Sequence, residues 1–183
     1  LLWSEAERHI PDPERPTVIT MWKLQGTEPL IDISKAFRLP YTTRPMFFDL
    51  LTGEVSDSGG DLAITITRMP GSLSKKNPAD WSIQIKPVDG GIMVTEDPIS
   101  RVTFQAPAEG YEDHLDVIMN HVDPAWFDNV QRYFFLKSRN GKVYSKLYFN
   151  FAINNEPEGT MWVQFKGVAN ANASRNWEAT ATR

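Results

Sequence analysis

The stretch Tyr133–Ile153, YFFLKSRNGKVYSKLYFNFAI, decides how the chain is read. Asn140-Gly141 divides it into two runs that alternate with period two, which is the signature of a β-hairpin closed by a two-residue type I′ turn. That turn fixes the register. Arg139 then faces Lys142, Phe134 faces Leu147, Arg132 faces Phe149 and Val130 faces Phe151. The last three pairs share one face with Leu136, Ser145 and Ile153, and that face is expected to be core. The opposite face pairs Lys137 with Tyr144, Phe135 with Lys146, Tyr133 with Tyr148, and Gln131 with Asn150.

A third strand, Thr160–Val168, follows a short connection. With Met161, Val163 and Phe165 turned to the core, it adds Trp162, Gln164 and Lys166 to the second face; a slip of one residue would reverse this. The second face is therefore rich in aromatic, amide and amine groups. A pyranose rests its C–H face on an aromatic ring and offers hydroxyls to amides. The face predicts a glycan-binding surface made of Tyr133, Tyr148, Trp162, Gln131, Asn150, Gln164, Lys146 and Phe135. Lys137, Lys146 and Lys166 favour an acidic or sulfated polysaccharide. The competing reading is that the face packs on a loop, a second sheet or a neighbouring protein domain, because aromatic and polar cross-strand pairs stabilise sheets without any ligand.

The rest of the chain repeats the β pattern. Thr17–Leu24 reads as a first strand. DLAITITRM places Leu62, Ile64 and Ile66 on one side and Ala63, Thr65 and Thr67 on the other. WSIQIKPV, IMVTEDPISRVTFQAP and HLDVIMNHV add further strands. Glu28–Phe37 suits a short helix or a turn-rich edge segment, and Asp123-Pro124 suits the start of one helical turn. Many short strands separated by turns predict an all-β, antiparallel β-sandwich of the jelly-roll or Ig-like kind with little helix. Residues 1–16 carry three prolines near their end and read as a linker or the end of a preceding segment. Residues 17–183 form the sandwich module.

With 183 residues the chain can bury a core without covalent staples. A net charge of -4 lacks the basic footprint of a nucleic-acid binder, and no apolar run is long enough for membrane insertion. There is no cysteine, which removes disulfides, thiol catalysis and cysteine-bound zinc. No nucleophile, phosphate-loop or zinc-protease motif is present. A carboxylate pair for glycoside hydrolysis has no particular candidates. No cofactor is implied; Glu112, Asp113 and Asp116 are the weaker candidates for a structural calcium ion. Trp3, Trp22, Trp81, Trp126 and Trp177 read as packing, and Asn172-Ala173-Ser174 is a glycosylation sequon. The expectation is a non-catalytic module of a larger exported bacterial protein, extracellular or at the cell surface. It would bind polysaccharide, or else serve as a structural or protein-interaction module; a small glycan-active hydrolase is the third reading.

Overall fold

A computed structural model describes residues 26–68, 80–96, 104–153 and 160–178. The strands are β1 (Ile31–Pro40), β2 (Thr42–Phe48), β3 (Val55–Ser56), β4 (Leu62–Arg68), β5 (Trp81–Pro87), β6 (Gly91–Thr95), β7 (Leu115–Met119), β8 (Asn129–Ser138), β9 (Val143–Ile153) and β10 (Thr160–Asn170). They form two antiparallel sheets of five strands, ordered β1-β10-β9-β8-β6 and β3-β2-β4-β5-β7. The expected β-sandwich is what the chain forms. The expected strand Thr17–Leu24 and the linker at 1–16 lie outside the described residues.

The core is the set of inward positions from both sheets. Leu62, Ile64 and Ile66 of β4 and Ile83 and Ile85 of β5 meet Phe134, Leu136, Phe149, Phe151, Met161, Val163 and Phe165 of the meander β8-β9-β10. Phe165 packs at its centre, 5.1 Å from Phe48 and 5.2 Å from Phe149 between ring centroids. Such pairs add to the stabilisation that follows from area alone.

The hairpin register is the one the sequence predicts. Phe134 pairs with Leu147, Tyr133 with Tyr148, and Ser138 with Val143. Asn140 and Gly141 have φ of 57° and 78°, and Lys142 N–H donates to the Arg139 carbonyl at 3.2 Å. These are the positive φ values that a type I′ turn demands. Arg139 is also left-handed, at φ 52°. Its backbone N–H donates to Val88 O and that of Asn140 to Asp89 O, so the hairpin tip is tied to the β5–β6 turn. The approach there is close: a Cβ at Gly90 would lie 1.7 Å from the Lys137 carbonyl oxygen.

Two local expectations are corrected. Glu28–Phe37 holds no helix. Ile31–Pro40 is a ten-residue edge strand, because Ile31, Ile33, Phe37 and Leu39 recur with period two against the core. Residues 123–128 hold no helix either. Asp123 Oδ1 accepts the Ala125 N–H at 2.8 Å and closes one turn, while Trp126 and Phe127 pack onto the core and draw the chain into β8.

Candidate functional site

The outer face of the β1-β10-β9-β8-β6 sheet is built in rows that run across the strands. One row is Ser34, Lys166, Tyr148, Tyr133 and Thr95. Beside it, nearer the hairpin tip, lie Val168, Lys146, Phe135 and Met93. On the other side lie Gln164, Asn150 and Gln131, and beyond them Trp162, Ala152 and Asn129.

The row nearest the tip is covered. Residues 104–112 and 170–178 form a strap across it, joined by a Gln105–Asn176 bridge and by Trp177 N–H donating to Phe104 O. Phe135 is 8 % exposed and stacks on Trp177, with 5.4 Å between centroids. Ala106, Met93, Tyr111 and Tyr144 complete this satellite core. Phe135 is thus corrected from ligand contact to packing residue: the strap, a loop of the same chain, takes its ring. Lys146 spans the boundary, with its Nζ 5.6 Å from the centre of the Trp177 ring and its ammonium pKa lowered by burial. Tyr111 of the strap, partly buried, has its phenol pushed up to about 12 by burial and then by Tyr144.

The remaining face is partly exposed. Tyr133 and Tyr148 lie side by side at 5.1 Å and 45° between ring planes. Burial, then Tyr133, raises the Tyr148 phenol pKa, so it stays a neutral hydrogen-bond donor near pH 7. The two tyrosines border a depression of about 270 Å³ with Lys146, Lys166, Gly167 and Val168. Tyr133 also borders a second depression of about 530 Å³ with Val94, Thr95, Glu96, Gln131 and Arg132. Gln131, Asn150 and Gln164 form the adjoining amide row, in which Asn150 Oδ1 accepts from Asn129 Nδ2 at 3.1 Å. Trp162 shares the face but not the cluster. It is four residues from Lys166 along β10, about 13 Å at ~3.3 Å per residue.

The calcium candidates do not converge. The His114 imidazole stands between the two aspartates, 2.5 Å from Asp113 and 3.2 Å from Asp116. The hydrogen bond to Asp113 is the main cause of its raised pKa. Glu112 uses its backbone to bridge Ile92. Among the described residues no group of three or more His, Asp or Glu is arranged to hold a metal ion. A further depression of about 270 Å³ on the opposite sheet is lined by Thr67, Arg68, Asp80, Trp81, Ser82 and Ile118. Beside it, His121 and Asp80 pair at 2.7 Å.

What the sequence did not reveal is the strap and its anchor. Glu28 accepts from Ser174 Oγ at 2.6 Å and from Asn170 Nδ2 at 2.9 Å. Asn170 also donates to Asn176 O, and Asn176 donates to Gly26 O, each at 2.6 Å. The sequon hydroxyl of Ser174 is therefore part of this anchor. The only sequence signal is the density of Asn and Ser in NANASRN, residue types that satisfy turns. The bonds from Ser174 and then Asn170 hold the Glu28 carboxyl below its ordinary 4.5. The folded state thus favours ionised Glu28. That stabilisation is present above pH 4.5 and is lost as pH falls through the lower folded value. The strap is expected to loosen in acid below about pH 4.5, seen as a shift of the Trp177 indole resonance in NMR that Glu28→Gln abolishes. An indole signal unmoved by acid in the parent protein would contradict this role for Glu28.

No family model, curated protein or solved structure is significantly similar to this chain.

Proposed function

We propose that this chain is a non-catalytic β-sandwich module that binds glycan on the open part of the β8-β9-β10 face. The observation that supports the reading most is the pair of half-buried tyrosines, Tyr133 and Tyr148, beside a depression edged by two lysines and next to a row of three amides. Tyr133 and Tyr148 stack sugar rings. Gln131, Asn150 and Gln164 supply hydrogen bonds, and Lys146 and Lys166 meet anionic substituents. The setting that goes with this role is extracellular or cell-surface, where polysaccharides are met, as an accessory part of a larger exported protein.

Affinity electrophoresis of the full chain through neutral, uronic and sulfated polysaccharides tests the reading. One class is expected to retard it. Tyr133→Ala with Tyr148→Ala is expected to abolish the retardation, since an aromatic stack contributes ~1 kcal/mol or more per ring and the two losses combine. Retardation unchanged in the double variant would end the proposal.

The alternative reading, a protein-interaction module, is favoured by a different surface. Ile118 on β7, an edge strand, is 72 % exposed, and Val122 just beyond it is 71 % exposed. An open edge carrying apolar side chains favours pairing with another chain. Concentration-dependent sedimentation that Ile118→Lys suppresses would support it.

A further inference from the structure

The floor, walls and charge of the open face constrain what a glycan there must look like, and the inference rests on the glycan reading above. Tyr133 borders both depressions, with Lys146 and Lys166 around one and Thr95, Glu96 and Arg132 around the other. The two depressions adjoin at Tyr133, one on the β8-β9-β10 side and one on the β8-β6 side of it. Along the strands the face is closed toward the hairpin tip, where Trp177 and Tyr111 of the strap stand on Phe135.

Charge is distributed unevenly. The chain carries a net -4. Yet the outward positions of the five strands hold Arg38, Lys137, Lys146 and Lys166 against Asp32, with Glu96 adding one acid at the β6 end. Among the described residues Lys166 makes no ion pair. Lys146 is partly desolvated over the Trp177 ring, so its charge gains more from meeting an anion than a fully hydrated ammonium would. A cationic patch on an acidic protein steers and holds a polyanion.

We infer that the ligand is the chain of an acidic polysaccharide, lying across the strands from β10 to β6 over Tyr148 and Tyr133, with its carboxylate or sulfate groups at Lys146 and Lys166. The lysines recognise only the charge, which carboxylate and sulfate share; matched acidic polymers separate the two.

The probes are matched pairs: dextran against dextran sulfate, and methyl-esterified against free polygalacturonate. The full chain is run through each at about 0.15 M salt, where charges beyond ~8 Å are screened. Dextran sulfate or free polygalacturonate is expected to retard it and the neutral partner is not; whichever acidic polymer does so identifies sulfate or uronate. Lys166→Gln is expected to weaken binding about fivefold, the upper range for an exposed ion pair, and Lys166→Glu more. Thr95→Glu is expected to weaken it as well, since it places a repelling charge at the β6 end. Trp162→Ala, off the track, is expected to leave binding unchanged. All four substitutions sit on exposed or partly exposed strand positions, and unchanged thermal melts show that folding is retained.

Equal retardation by dextran and dextran sulfate would overturn the acidic assignment while leaving the glycan reading intact. Binding that falls with Trp162→Ala and ignores Thr95→Glu would overturn the cross-strand path and place the ligand along the strands. No retardation by any of the four polymers would overturn both the inference and the glycan reading.

Discussion

Replacing Arg139 with methionine is expected to destabilise the fold by ~3–5 kcal/mol, the range for removing one partner of a buried ion pair. Asp61 is 0 % exposed and sits between the two sheets at the hairpin tip. Its carboxylate accepts Arg139 Nε at 2.8 Å and Nη2 at 2.9 Å, Ser138 Oγ at 2.7 Å and the Leu50 N–H at 2.9 Å. The same guanidinium donates to Asp49 Oδ2 at 2.7 Å. Burial pushes the Asp49 carboxyl up, but the Thr52 and Leu51 N–H groups and Arg139 outweigh it and hold it below its ordinary value. Methionine keeps the aliphatic stem and leaves the Asp61 charge buried with two neutral donors.

The backbone does not confound the comparison, because residue 139 sits at φ 52° and any non-glycine side chain bears the same strain there. A chain of this size loses ~2–4 °C of Tm per kcal/mol, so the melt is expected to fall by about 10 °C. The effect is asymmetric. Asp61→Asn leaves an arginine that is 35 % exposed and still beside Asp49, so it is expected to cost less. The double variant is expected to be less destabilised than the two single losses added together, because no unpaired charge stays buried. A loss below ~1 kcal/mol for Arg139→Met would reduce the cluster to a surface ion pair.

This cluster shows where the sequence was legible and where it was not. Period two alone placed the meander: Phe134 against Leu147, and Met161, Val163 and Phe165 in the core, follow from alternation plus one Asn-Gly turn. Asp61 gave no such signal. It lies in SDSGGD, a stretch that reads as an exposed turn, and only its partner 78 positions away explains why a carboxylate is buried there. β1 was ambiguous because its apolar positions are interrupted by Lys35 and end at Leu39, beyond the window that suggested a helix.

The candidate face divides in the same way. Alternation put Tyr133, Tyr148, Gln131, Asn150, Gln164, Lys146, Lys166, Trp162 and Phe135 on one side of one sheet, and the structure agrees. It could not say what lies on top. Coverage depends on loops, and loops carry no periodicity. Phe135 was lost to Trp177, 42 positions later, and Trp162 was separated from the tyrosines by strand length rather than by face.

The strap therefore decides how much of the face a ligand can reach, and Trp177→Ala tests it most directly. Trp177 is 3 % exposed, and truncating a buried tryptophan typically costs ~3–5 kcal/mol. Here the loss has a ceiling. The strap can release while both sheets stay folded, so the global penalty cannot exceed the free energy that holds the strap down. The expected result is local. Amides of 104–112 and 170–178 lose hydrogen-exchange protection by ~100-fold or more, equivalent to ~3 kcal/mol, while those of β4, β5, β8 and β9 keep theirs. Trp177→Phe is the control. The indole Nε1 is buried and has no hydrogen-bond partner among the described residues. Phenylalanine removes that unpaired donor and keeps a ring against Phe135, so protection is expected to stay near the parent value. If Trp177→Ala left the strap amides protected, the Glu28–Asn170–Asn176 hydrogen bonds would suffice to hold it, and Trp177 would be a passenger on Phe135 rather than its cover. If protection fell evenly across both sheets, the strap would be an inseparable part of the sandwich, and the boundary it draws on the tyrosine face would be as fixed as the strands themselves.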